Sequence, residues 1–138
     1  MAVQIISDLH LEVPKAYDFF NIVPRAPYLA LLGDIGNVIS HREECLGFFT
    51  KQLAQFCLVL FVPGNHEAYH SDWPTTLDAL RAFEQQVRTD NSLGEFILLD
   101  RGAYHLPDTK TVILGCSLFS LVPPESEMAV RFGLNDFF

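Results

Sequence analysis

Residues 58–67 read Leu-Val-Leu-Phe-Val-Pro-Gly-Asn-His-Glu, an apolar run that ends in a polar loop. The five apolar residues predict a strand covered on both of its faces, and Pro63 followed by Gly64 predicts its end. Asn65 and His66 come directly after this end. The stretch therefore predicts a buried strand with chemically active side chains at its carboxyl end.

Two earlier stretches repeat this arrangement. The apolar run at residues 3–6 leads into Ser-Asp-Leu-His-Leu-Glu at residues 7–12. The run at residues 28–32 leads into Gly-Asp-Ile-Gly-Asn at residues 33–37. Open α/β sheets carry their ligand sites beyond the carboxyl ends of the strands. The three stretches therefore predict one site if the strands are neighbours.

The rest of the chain alternates helix and strand patterns. Apolar residues three to four positions apart predict amphipathic helices over residues 42–57 and 75–88. Shorter apolar runs predict strands over 96–99 and 111–114, and Pro123-Pro124 predicts the start of another helix. This alternation predicts an α/β fold in which helices lie outside a mixed sheet.

The side chains at the three strand ends are suited to a metal ion. Asp8 and His10 are two residues apart, and in extended backbone such residues point the same way. Asp34 ends the second strand, between two glycines that relax the backbone, and Asn65 and His66 end the third. Mixed oxygen and nitrogen ligands suit Mn²⁺, Fe or Zn²⁺.

Taken together, the three motifs D-x-H, G-D and G-N-H-E resemble the first signatures of the calcineurin-like metallophosphoesterase superfamily. Their order and their places after strands match that family. The resemblance implies a four-layer α/β/β/α sandwich, of which this chain would supply part. It also implies that residues 1–138 form one such domain, truncated at its C-terminus, because the family's G-H-x-H motif is not in the sequence.

The resemblance further implies roles for five residues. Asp8 and His10 match ligands of a first metal ion, and Asp34 matches the carboxylate that bridges two ions. Asn65 matches a ligand of the second ion, whose site is incomplete here. His66 matches the catalytic imidazole that contacts the phosphate and helps the leaving group depart. Glu12 and Glu67 are expected to support these groups rather than bind metal, and His70 is expected to be a solvated loop residue.

Metal-dependent hydrolysis of a phosphoester is the function that this resemblance predicts, with the substrate unidentified. One alternative is a catalytically incomplete remnant that binds a metal ion or a partner. Another is a subunit completed by a second polypeptide that brings the missing histidines. Because the second sheet of the family sandwich comes from residues not in this sequence, we also expect an uncovered apolar sheet face and self-association through it.

Composition narrows the class of protein. The formal net charge of −8 argues against nucleic acid as the main partner, although bound cations could still bring a phosphate to the site. The N-terminus lacks a signal-peptide pattern, and no apolar run reaches the length of a membrane helix, so we expect a soluble cytoplasmic protein.

Three cysteines in apolar contexts (Cys45, Cys57 and Cys116) predict buried free thiols. Paired phenylalanines at 19–20, 48–49 and 137–138 are expected in the core, and His41 and His105 at the surface or at a helix cap.

Overall fold

The computed structural model describes residues 2–107 and 109–133. Its centre is a parallel sheet of four strands in the order β1-β2-β3-β4. These strands are β1 (Val3–Ile6), β2 (Tyr28–Leu32), β3 (Leu58–Val62) and β4 (Glu95–Leu98). The predicted α/β class and the adjacency of the first three strands are confirmed.

The register of the strands brings their carboxyl ends level with one another. Ile6 pairs with Leu31, and Leu31 pairs with Phe61. The residues that follow β1, β2 and β3 therefore leave the sheet at the same edge. This alignment places the three sequence motifs side by side.

Two helices cover one face of the sheet. They are α1 (Arg42–Leu53) and α2 (Trp73–Val87). Helix α1 ends before the predicted position 57, because the Cys57 amide donates to the Pro27 carbonyl and the Leu53 carbonyl accepts from the Gly94 amide. Helix α2 begins earlier than predicted, because Asp72 caps it by accepting the Thr75 amide at 2.8 Å. Buried side chains join the helices to the sheet: Leu29, Leu31, Val59, Phe61 and Phe96 with Phe48, Phe49, Leu80 and Phe83.

A two-stranded antiparallel sheet lies against part of the opposite face. Its strands are β5 (Gly102–His105) and β6 (Val112–Gly115). The sequence did not predict β5, because its alternating half-exposed residues form no apolar run. The prediction of one mixed sheet was wrong, since the parallel and antiparallel strands form separate sheets. After β6 the chain forms α3 (Glu127–Gly133).

The antiparallel pair leaves the opposite face only partly covered. Leu58 and Leu60 are buried there, in a cluster with Leu99 and Leu106. Ile5, however, is 65% exposed and Leu32 is 46% exposed. The expectation that nothing covers this face was therefore wrong over β3 and correct at parts of β1 and β2.

Several predictions of burial also need correction. Cys45 is buried, but Cys57 is exposed and Cys116 half-buried. Cys57 lies between α1 and β3, where its amide bonds to the Pro27 carbonyl. Phe19 is 82% exposed, whereas Phe48 and Phe49 are core residues as predicted. Phe137 and Phe138 lie outside the described residues.

Within residues 2–107 and 109–133, no helix is long and apolar enough to cross a membrane.

Candidate metal centre

Three of the predicted metal ligands have left-handed backbone conformations. The φ angles are +56° at Asp8, +47° at His10 and +54° at Asp34. The extended backbone predicted at Asp8 and His10 was therefore wrong, because both residues lie beyond β1 in a tight loop. Hydrogen bonds from the Asp8 amide to the Gly33 carbonyl (3.0 Å) and from the His10 amide to the Asp34 carbonyl (2.9 Å) hold this loop. Such conformations cost about 1–3 kcal/mol each and concentrate at functional sites.

The loops bring these three side chains together. One ligand atom from each of Asp8, His10 and Asp34 lies within 4.8 Å of the others. Asp8 is exposed, and the other two are half-buried. Two carboxylates and an imidazole at this separation are a donor set that fits a divalent ion such as Mn²⁺, Fe²⁺ or Zn²⁺.

The Glu67 side chain stabilises the loops that carry this cluster. Its fully buried carboxylate accepts hydrogen bonds from the backbone amides of Asp34 (3.0 Å), Ile35 (2.7 Å), Gly36 (3.3 Å) and Gly64 (2.5 Å). Burial raises the pKa of the Glu67 carboxyl, and the four amides act to lower it. The carboxylate thus joins the loop after β2 to the loop after β3, in the supporting role that the sequence predicted.

The glycines of the second and third motifs permit a close approach of the two loops. Gly33 has a φ of +83°, and a Cβ atom on it would lie 2.9 Å from the Gly64 Cα atom. A Cβ on Gly64 would lie 2.7 Å from the Asp34 backbone nitrogen. Because real Cβ atoms do not approach so closely, both positions require glycine for this geometry.

His66 lies beside the Asp8-His10-Asp34 cluster and contacts it. Its amide donates to Asp34 Oδ1 at 3.0 Å, and its Nδ1 lies 3.3 Å from His10 Nδ1. The ring stacks on Tyr69, with centroids 4.2 Å apart and an interplanar angle of 26°. The predicted catalytic imidazole is thus held on two sides within contact distance of a predicted metal ligand.

The Glu12 carboxylate contacts both imidazoles. Its Oε1 lies 2.7 Å from His66 Nδ1 and 3.5 Å from His10 Nδ1. The Glu12 side chain is 6% exposed. The sequence predicted a supporting residue here but not this contact, because Glu12 and His66 are 54 positions apart. The stacking of Tyr69 on His66 was also not predicted.

Asn65 begins the short 3₁₀ turn His66–Ala68, next to the predicted catalytic residue. Its side-chain nitrogen donates to the Tyr69 hydroxyl at 3.0 Å. A second metal ion bound by Asn65 and Asp34 stays a prediction.

The three remaining histidines lie in the kinds of position that the sequence predicted for them. His70 is exposed. His41 precedes α1 at the N-cap without capping it through its side chain, and His105 is exposed on β5.

A groove of about 1260 Å³ opens next to the metal-ligand loops. Gly64 and Asn65 line its end nearest these loops, and mostly apolar residues line the rest, with Arg101 among them. The Ser117 hydroxyl donates to the Pro63 carbonyl and ties the segment after β6 to this rim. The groove provides space for a ligand beside Asn65.

Comparison with known proteins agrees with the motifs and the fold. The model of the calcineurin-like phosphoesterase family matches residues 1–115, and the chain belongs to this family. An uncharacterized protein of Acanthamoeba polyphaga mimivirus is 30% identical over 145 residues, which cover 96% of this chain and 49% of that protein. The chain thus spans about half the length of the curated relative that it matches. No solved structure gives a significant match.

Proposed function

We propose that this chain takes part in metal-dependent hydrolysis of a phosphoester. The observation that carries the proposal is the cluster of Asp8, His10 and Asp34, whose ligand atoms lie within 4.8 Å of one another at the aligned strand ends. Membership of the calcineurin-like phosphoesterase family supports the same reaction class.

Asp8, His10 and Asp34 are the residues that would hold a first ion, with Asn65 and Asp34 contributing to a second. When bound, divalent ions supply Lewis-acid stabilisation of phosphoryl oxygens and a nucleophile at neutral pH. The amide of His66 and the carboxylate of Glu67 keep the Asp34 loop in place through the bonds described above. The ligand residues are therefore held by the fold and need little rearrangement to bind an ion.

In this proposal His66 handles the proton of the leaving group. Its Nδ1 faces Glu12, so its Nε2 is the nitrogen turned away from that carboxylate. The stacked Tyr69 ring limits rotation of the imidazole. A positioned imidazole contributes on the order of 10²- to 10⁴-fold to the rate of such a step.

Hydrolysis of bis(p-nitrophenyl) phosphate with Mn²⁺ tests the function. We expect Asp34→Ala to abolish the activity and to lower the metal content, because Asp34 is proposed to bind both ions. His66→Ala should lower kcat by about 10²-fold or more with little loss of Mn²⁺ from the Asp8-His10-Asp34 cluster. His105→Ala, on exposed β5, is the matched control and should behave as wild type. Unchanged kcat in His66→Ala would contradict the role given to this imidazole.

A second candidate function is metal binding without turnover. Only Asp34 and Asn65 match ligands of a second ion, and hydrolysis by a two-ion mechanism needs both ions in place. Calorimetry with Mn²⁺ or Zn²⁺ separates the two functions. Binding that Asp34→Ala removes, together with no hydrolysis, would favour this second candidate.

A further inference from the structure

We propose that His10, Glu12 and His66 form a second metal site, suited to Zn²⁺ in tetrahedral coordination. This site differs from the Asp8-His10-Asp34 cluster, although the two have His10 in common. The proposal does not depend on the proposed hydrolysis. An ion bound here would use His66 as a ligand and so withdraw it from that reaction.

The distances among the three ligand atoms carry the proposal. His10 Nδ1 lies 3.3 Å from His66 Nδ1 and 3.5 Å from Glu12 Oε1, and His66 Nδ1 lies 2.7 Å from the same oxygen. Ligand atoms of a tetrahedral zinc site are about 3.3 Å apart, because each lies about 2.0–2.1 Å from the ion. A single point just above this triangle lies about 2.0–2.1 Å from all three atoms. The triangle thus accepts an ion at zinc distances with little movement.

The charge of Glu12 gives a second reason. Its side chain is 6% exposed, and its buried Oε2 has no hydrogen-bond partner among residues 2–107 and 109–133. Within the described part of the chain, its nearest charged or titratable partners are the two imidazoles. A buried carboxylate is costly without a compensating cation. A divalent ion supplies the missing positive charge, and two histidines with one glutamate are an established zinc ligand set.

An ion at this site has a functional consequence. It occupies His66 Nδ1 and the Glu12 carboxylate, and the imidazole that would transfer a proton becomes a metal ligand. Zn²⁺ should therefore inhibit any hydrolysis that Mn²⁺ supports.

Cobalt substitution tests the site directly, since tetrahedral Co²⁺ absorbs visible light far more strongly than octahedral Co²⁺. We expect the 138-residue chain to bind Co²⁺ with a tetrahedral spectrum, and Zn²⁺ to displace it. Glu12→Gln should weaken this binding about tenfold or more, because it removes the anionic ligand. Asp34→Asn is the matched control: Asn keeps an oxygen for the His66 amide, and we expect the spectrum to persist.

Circular dichroism of each variant checks that it is folded. If Glu12→Gln is unfolded, His66→Asn serves instead, because His66 is a ligand only in this second site.

Co²⁺ with a weak octahedral spectrum, or binding lost in Asp34→Asn and kept in Glu12→Gln, would overturn the proposal and leave the proposed hydrolysis standing. A Glu12-dependent tetrahedral spectrum without hydrolysis would support the site and contradict the proposed function.

Discussion

Among single residues, Glu67 is the one whose replacement should destabilise the fold most clearly. Replacing it with alanine leaves four backbone amides without their acceptor, two of them in buried hydrogen bonds and two in partly buried ones. An unsatisfied buried donor costs about 1–3 kcal/mol, so we expect Glu67→Ala to lower the free energy of unfolding by about 3 kcal/mol or more. Urea denaturation followed by circular dichroism measures this loss.

Two further variants test whether the lost hydrogen bonds are the cause of this destabilisation. Glu67→Gln keeps the shape of the side chain but turns a donor group toward the amides, so it should also destabilise the protein. Glu43→Ala, at an exposed position of α1, should leave the denaturation midpoint nearly unchanged. A Glu67→Ala protein as stable as wild type would mean that water replaces the carboxylate without cost.

The cysteines differ in environment and should differ in reactivity. Burial raises the pKa of the Cys45 thiol well above its ordinary value, which suppresses the reactive thiolate. Cys57 is exposed. We expect a thiol reagent such as DTNB to modify Cys57 rapidly in the native protein and Cys45 only after denaturation. Mass spectrometry of labelled peptides identifies the modified residue, and rapid native labelling of Cys45 would contradict its burial.

The sequence predicted which residues meet at the strand ends but not how they meet. Asp8, His10 and Asp34 could be selected because each follows a recognisable strand. Their left-handed backbone angles arise from hydrogen bonds between loops that are distant in sequence, and no local pattern encodes those bonds. The contact of Glu12 with His66 was not predictable for the same reason.

At the scale of elements, two glycine substitutions should have opposite effects. Gly47 lies exposed within α1, and a Cβ atom there would meet no other part of the described chain within 4 Å. Gly47→Ala should raise the free energy of unfolding by about 0.5–1 kcal/mol, because alanine favours the helix. Thermal melts should show a small increase in Tm.

Gly64→Ala is the matched contrast at the carboxyl end of β3. Its methyl group would press against the Asp34 backbone and side chain, so the two loops must separate. We expect a lower Tm and weaker binding of Mn²⁺, whereas Gly47→Ala should bind Mn²⁺ as wild type does. Wild-type metal affinity in Gly64→Ala would show that the close approach is not needed by the site.

The strands of the parallel sheet were predicted more accurately than the other elements. β1, β2 and β3 are apolar runs with sharp polar ends, and buried parallel strands have this pattern. The C-terminal end of α1 was missed by four residues and the start of α2 by two, because hydrogen bonds to distant residues and a capping bond set these ends. β5 was missed because half of its residues face water.

At the scale of the whole molecule, the partly covered sheet face predicts self-association. Ile5 and Leu32 are exposed on the sheet, and Leu114, Leu118 and Phe119 are 77%, 90% and 64% exposed near it. Exposed apolar area of this kind tends to drive association. We expect light scattering after size exclusion to give a mass above 15.6 kDa that rises with concentration.

Substitutions on this surface separate a specific contact from general insolubility. Leu114→Ser together with Leu118→Ser should reduce the mass toward that of the monomer. The paired change Val13→Ser and Phe19→Ser, at exposed apolar positions away from β6, is the control and should not. A wild-type chain that elutes as a monodisperse monomer at all concentrations would refute the prediction.

The left-handed backbone at Asp8, His10 and Asp34 also bears on how such a chain would evolve. Glycine adopts these angles with less strain than any residue with a side chain, although Asp and His tolerate them better than most residues do. At Asp8 and His10, glycine would therefore relieve backbone strain, whereas at Asp34 it would also remove the acceptor of the His66 amide. If the proposed chemistry is what retains these side chains, Asp8 and His10 would be the earliest of the three to change in a descendant that had lost it.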